Sequence, residues 1–116
     1  MSITVYGIPN CDTVKKARKW LEANGIAYSF HDYKKQGIGP ARITAWIAKV
    51  GLTKVVNKAG TTYRKLDDAQ KIALGQTGAE EVLAENNSAI KRPIVEYPGG
   101  LLVGFKEDEW EAALKR

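Results

Sequence analysis

Ile3-Thr4-Val5-Tyr6 is a short β-branched and aromatic run closed by Gly7-Ile8-Pro9-Asn10, the composition of a strand that ends in a turn. Over Asp12 to Asn24 the period changes. Val14, Ala17 and Leu21 recur at helical spacing with basic residues between them, and Gly25 after Asn24 is a stop signal. Ala27 to His31 returns to a strand pattern, with Tyr28 and Phe30 on one face. Strand, crossover helix and strand within about 30 residues form a βαβ unit, whose strands are parallel and whose crossover is right-handed.

From residue 34 to about 90 the pattern is helical. Pro40 sits where a first helical position belongs, Ile43, Ile47 and Val50 mark an apolar stripe, and Gly51 ends it. Thr77-Gly78-Ala79-Glu80 has the spacing of a capping box ahead of Val82 and Leu83. Gly60-Thr61-Thr62-Tyr63-Arg64-Lys65-Leu66 is too polar for a core element and predicts a loop or a short turn of helix. Strand patterning resumes at Ile94 to Tyr97 and Leu101 to Val103 around the hairpin signal Pro98-Gly99-Gly100, and Trp110, Ala113 and Leu114 mark a last amphipathic helix. Glu107-Asp108-Glu109 favours the start of that helix. The order predicts an α/β fold of thioredoxin-like plan: βαβ, a helical insert over about 36–90 between the second and third strands, then a β-hairpin and a C-terminal helix. One domain spanning residues 1–116 is expected.

The 116 residues, 44% hydrophobic and 27% charged, suffice for a core without covalent staples. A single cysteine, Cys11, excludes an internal disulfide framework, and a single histidine, His31, leaves no Cys/His set spaced for structural zinc. No apolar run approaches the roughly 18–20 residues of a membrane span, and the N-terminal stretch has no basic region followed by a long apolar one. A cytoplasmic protein without a membrane partner is expected, and a monomer. The net charge of +5 suits anionic partners such as small oxyanions, glutathione or nucleic acid. Its clusters, Lys15/Lys16/Arg18/Lys19, Lys34/Lys35, Arg64/Lys65 and Lys91/Arg92, lack the aromatic interleaving of a nucleic-acid surface, so nucleic acid is not the expected partner.

Cys11 lies between a turn and a helix start. A thiol there faces unpaired backbone N–H groups and the positive end of the helix dipole, which favour thiolate, while adjacent Asp12 opposes it. The sequence leaves the sign of that sum open. In dithiol reductases a second cysteine follows three places later; here that place is Val14. An oxidised or mixed-disulfide form of Cys11 therefore needs an external thiol to resolve it, and glutathione is the abundant cytosolic one. Lys91-Arg92-Pro93-Ile94-Val95 leads into the third strand, where thioredoxin-like folds hold a cis-proline beside the active cysteine. Arg92 would then stand over the thiolate as a fixed cation and a planar fork for an oxyanion or carboxylate. His31 reads as a strand-end residue on the sheet rim, and Trp20, Trp46 and Trp110 as packing residues.

These segments, with His31-Asp32-Tyr33-Lys34-Lys35, Gly60 to Leu66 and Val103-Gly104-Phe105-Lys106-Glu107, resemble the arsenate reductase and Spx family, and within it the YffB-type branch. The resemblance runs nearly end to end. It implies a nucleophilic Cys11 with Arg92 as its catalytic partner. It carries substrate contacts onto Asn10, Asp12, Thr13, Lys58, Arg64, Pro93 and Lys106. Two further arginines of glutaredoxin-coupled arsenate reductases fall near Asn57 or Lys58 and near Phe105 or Lys106, where lysine offers charge without a bidentate fork. The expected function is a glutathione-dependent thiol reductase acting on a small oxyanion or thiol/disulfide substrate, with no bound cofactor or metal. The alternatives are a glutaredoxin-coupled arsenate reductase and an Spx-like regulator that binds RNA polymerase.

Overall fold

The first, β-containing unit holds four short strands, β1 (Thr4–Gly7), β2 (Ser29–Asp32), β3 (Ile94–Tyr97) and β4 (Gly100–Val103), in one sheet of order β2-β1-β3-β4. The computed structural model describes residues 2–75 and 78–115, and they divide into this unit (2–36 and 92–115) and a helical unit (37–91). β1 pairs parallel with β2 and antiparallel with β3, and β3 pairs antiparallel with β4. The parallel pair is bridged by α1 (Asp12–Ala23), as the βαβ pattern predicts. Val5, Val95 and Leu102 face the same side of the sheet, where Ala17 and Leu21 of α1 and Trp110 and Leu114 of α8 (Glu107–Leu114) pack with Ile3. The acidic run Glu107-Asp108-Glu109 occupies the first turn of α8, where carboxylates complement the helix dipole.

Boundaries differ from the sequence pattern where side chains find other partners. β2 starts at Ser29 rather than Ala27, because the ladder begins with the Thr4–Ser29 pair and the Ser29 N–H bond to the Ile3 carbonyl at 2.8 Å. Tyr28 is instead tied to α1: its hydroxyl accepts from Arg18 Nε at 3.0 Å and donates to Glu22 Oε2 at 2.7 Å. The Arg18 guanidinium also lies 4.1 Å from the centre of the Phe30 ring, so this cation of the basic cluster is engaged in packing. At the hairpin only Pro98 and Gly99 lie between the strands, and Gly99, at φ 103°, takes the left-handed position that a Pro-Gly turn needs. Gly7 has a different reason. A Cβ there would stand 2.9 Å from Val14 Cγ2, so its absence lets the end of β1 lie against the start of α1.

The helical unit contains α3 (Pro40–Val50), α4 (Leu52–Val55), α5 (Thr61–Arg64), α6 (Asp68–Leu74), α7 (Ala79–Glu85) and a 3-10 turn (Asn87–Ala89). Pro40 opens α3 as expected. The buried edge of α3 is Ile43 and Trp46, whereas Ile47 and Val50 are half-buried. Both spacings fit a helical stripe, and the larger apolar area of the indole takes the interior. The polar segment 60–66 does form a single helical turn, α5. A capping box exists at Asp67: its carboxylate accepts from Gln70 N at 2.8 Å, and its own N–H donates to Gln70 Oε1 at 3.0 Å. The box anticipated at Thr77 lies outside the described residues, and α7 is preceded by Gly78. Among the described residues no helix is long and apolar enough to cross a membrane.

Candidate active site

Three chain segments meet at one end of β1, and the register explains why. Gly7, the last residue of β1, pairs with Asp32, the last of β2, so Tyr33 follows directly beside the β1–α1 loop that carries Cys11. On the other flank Tyr6 pairs with Ile94, two residues after Arg92. Cys11 is the N-cap of α1: its N–H donates to the Ile8 carbonyl at 3.2 Å, closing the turn, and its carbonyl accepts the first helical bond from Lys15 N at 2.9 Å. The thiol is half-buried, flanked by exposed Asn10, Asp12 and Thr13. The sulfur makes no capping hydrogen bond of ordinary geometry, yet the Val14 and Thr13 amides face it and favour its anion.

Burial pushes the Cys11 thiol up, and the surroundings more than reverse this. The Val14 amide, a hydrogen bond from the Arg92 guanidinium, the Thr13 amide and the Arg92 charge together hold it below the ordinary thiol range. The sum that the sequence left open between amides and Asp12 thus falls on the side of thiolate. Burial works against the Arg92 charge, but its hydrogen bonds to Cys11 and Tyr33 outweigh that and keep it cationic. Tyr33 is fully buried; burial, with smaller contributions from the Cys11 and Asp32 charges, pushes its phenol up to about 12 against the opposing pull of Arg92, so the hydroxyl is neutral near pH 7.

Arg92-Pro93 is a cis peptide, as its place ahead of β3 suggests. Pro93 is buried, and its carbonyl accepts from Gly104 N at 2.8 Å. Lys106 lies two residues beyond Gly104 as the N-cap of α8, with its ammonium 3.9 Å from Glu109. Lys58 and Arg64 belong to the helical unit. Lys58 helps line a cavity of about 250 Å³ there with Val56, Tyr63 and Leu74, and Arg64 Nη2 donates to the Ala59 carbonyl at 2.9 Å. The structure therefore gathers Cys11 and Arg92 into one hydrogen-bonded group with their immediate neighbours. Among the predicted substrate contacts, Asn10, Asp12 and Thr13 adjoin Cys11 along the chain and Pro93 follows Arg92.

Tyr33 is the member that the residue pattern alone did not single out. A signal for it exists in Asp32, which caps the short helix α2 (Tyr33–Gln36): Asp32 Oδ1 accepts from Lys34 N at 3.1 Å and Lys35 N at 3.3 Å. His31, on the β2 rim as expected, has its ring 5.0 Å from that of Tyr6.

Chemically, the group offers a nucleophile stabilised as an anion by amides and a fixed guanidinium, with exposed polar chain on either side. Comparison with known proteins shows which family the chain resembles along its length. A solved structure named YFFB protein is 50% identical and superposes with a TM-score of 0.92, covering 97% of this chain and 99% of that one. An arsenate reductase (ArsC) related protein from Brucella melitensis is 45% identical with a TM-score of 0.75, covering 100% and 97%. The global transcriptional regulator Spx of Listeria innocua is 28% identical over 117 residues, covering 98% of this chain and 88% of the relative. The family model described as the ArsC family matches residues 6–113, and with a thioredoxin-like fold and a cysteine at the start of α1, the chain belongs to the ArsC family.

Proposed function

We propose that this protein is a thiol-dependent reductase in which Cys11 is the single nucleophile and glutathione the external resolving thiol. The observation that carries the reading is a half-buried thiol, turned toward thiolate by two helix-start amides and Arg92, in a chain with no second cysteine. In the first step the Cys11 thiolate attacks the glutathionyl sulfur of a mixed disulfide, R–S–S–G. The Cys11–glutathione disulfide forms, the original S–S bond breaks, and R–S⁻ leaves to take a proton from water. In the second step a glutathione thiolate attacks the glutathionyl sulfur, releasing oxidised glutathione and regenerating the Cys11 thiolate. The same surroundings that favour attack also make Cys11 a good leaving group in the second step.

Incubation with oxidised glutathione is expected to add one glutathionyl unit to the intact protein, at Cys11, with full return to the original mass on adding reduced glutathione. A protein whose mass does not change under these conditions contradicts the reading. Reduction of arsenate is the alternative chemistry at the same sulfur, supported by the arsenate reductase-related neighbour. It needs cations around three oxygens, and the sulfur-bonded group supplies one guanidinium, Arg92. Turnover of arsenate with glutaredoxin and glutathione separates the two chemistries.

The likeness to Spx over 98% of the chain supports a reading of another class, a regulator that docks on RNA polymerase. Val14 in place of a second cysteine weighs against a dithiol switch in such a role. Under that reading the protein is retained by the immobilised C-terminal domain of the polymerase α-subunit and Cys11→Ser is silent. An empty pull-down defeats it. A cytoplasmic location accords with dependence on the reduced glutathione pool.

A further inference from the structure

We infer that Tyr33 is the positioning residue of this site: its hydroxyl, set on a pinned helix start, holds the Arg92 guanidinium in the orientation that serves the Cys11 sulfur. The inference rests on the thiol reading above and concerns how that thiol is kept ready.

Arg92 precedes β3 on a long, half-buried side chain with many rotamers, and one bond to a sulfur does little to fix its plane. A second acceptor on a rigid element does fix it, because the five N–H donors of a guanidinium lie in one plane. Tyr33 meets the requirement. Its ring is fully buried, so only a small range of positions is open to its oxygen. Its backbone is held from both sides: Asp32 pairs with Gly7 in the sheet, and Asp32 Oδ1 binds the Lys34 and Lys35 amides of α2. The Asp32 N–H in turn donates to Gln36 Oε1 at 3.1 Å, closing α2 onto the strand end. The Tyr33 oxygen accepts a hydrogen bond from Arg92, which also bonds Cys11.

Neutrality matters as much as position. Because the phenol stays protonated near neutral pH, Tyr33 orients the guanidinium without adding an anion that would cancel its charge. A carboxylate in the same place would bind Arg92 more tightly and leave less of its field for the sulfur. Arg92, Cys11 and Asp32 are charged or titratable groups that act on this hydroxyl.

The test compares Cys11 alkylation rates across pH for the wild type, Tyr33→Phe, Arg92→Ala and the double variant. Phenylalanine keeps the buried ring and removes only the oxygen. Tyr33→Phe is expected to raise the midpoint of the rate profile and to slow alkylation at neutral pH by about threefold to tenfold, the order of the net contribution of one ordinary hydrogen bond. In the Arg92→Ala background the same substitution is expected to change nothing, since Tyr33 acts through the arginine. A wild-type profile in Tyr33→Phe, a lowered midpoint, or an equal shift in both backgrounds overturns the inference. An ordinary thiol midpoint in the wild type instead removes the underlying thiol reading. A second readout needs no substitution: NMR of the reduced wild type is expected to show hindered rotation about the Arg92 Nε–Cζ bond, and free rotation counts against a two-acceptor clamp.

Discussion

Cys11→Ser is expected to reduce turnover of a glutathione mixed disulfide to the uncatalysed background, a loss of at least about a thousandfold. The amides of Thr13 and Val14 and the guanidinium of Arg92 act on a thiol, which they hold below its ordinary range. A serine hydroxyl in the same field does not ionise near neutral pH, so the surroundings have no anion to stabilise. The chain holds no second cysteine to take over the chemistry. A coupled assay following oxidised glutathione measures the effect, and appreciable turnover by the serine variant contradicts the assignment of the nucleophile. The same substitution changes the pH dependence of folding. A thiol held lower in the native than in the unfolded state contributes stability that is fully present above the unfolded pKa and is lost as pH falls through the native one. Unfolding curves of the wild type are therefore expected to gain stability with rising pH across that window, and those of Cys11→Ser to lack this component.

Trp110→Ala is expected to cost about 3–5 kcal/mol of stability, the usual range for deleting a buried indole. Trp110 is fully buried against Ala17 and Leu21 of α1 and Val5, Val95 and Leu102 of the sheet. Its ring meets Phe105 edge-on at 4.9 Å and Trp20 edge-on at 5.9 Å. Truncation opens a cavity among three elements and also removes the Nε1 bond to the Gly104 carbonyl, 3.0 Å long. Since single domains are stable by only about 5–15 kcal/mol, the variant sits near the edge of unfolding. The Gly104 N–H binds the Pro93 carbonyl, so the indole also braces the peptide that follows Arg92. Urea denaturation reads the effect as a lowered midpoint at unchanged slope, and a loss below about 1 kcal/mol contradicts this view of the core.

What the sequence discloses depends on how local the cause is. Cys11 between a turn and a helix start, and Arg92-Pro93 at the entry to a strand, are local arrangements, and the structure joins them through a hydrogen bond. Tyr33 is of another kind. α2 is four residues long, too short for a helical period to register, and the approach of Tyr33 to Arg92 follows from sheet order β2-β1-β3 rather than from spacing along the chain. In α3 the choice between Trp46 and Ile47 as the buried neighbour of Ile43 lies within the tolerance of the helical period, and tertiary packing decides it. The Asp67–Gln70 box has the same spacing as the one sought at Thr77 and was legible in the sequence once aspartate is admitted as a cap. Lys58 and Arg64 lie in the helical unit, and for them the resemblance conveys residue type and order along the chain but not which atoms meet.

The central claim is that two amides and one guanidinium hold one thiol below its ordinary range of ionisation. The direct measurement is a pH titration of thiolate ultraviolet absorbance, unambiguous for the thiol because Cys11 is the single cysteine, on the wild type and on Arg92→Ala. The predicted result is a wild-type midpoint below that of an unperturbed thiol and a clear rise when the arginine is removed. Identical midpoints at the ordinary thiol value in both proteins would contradict the account.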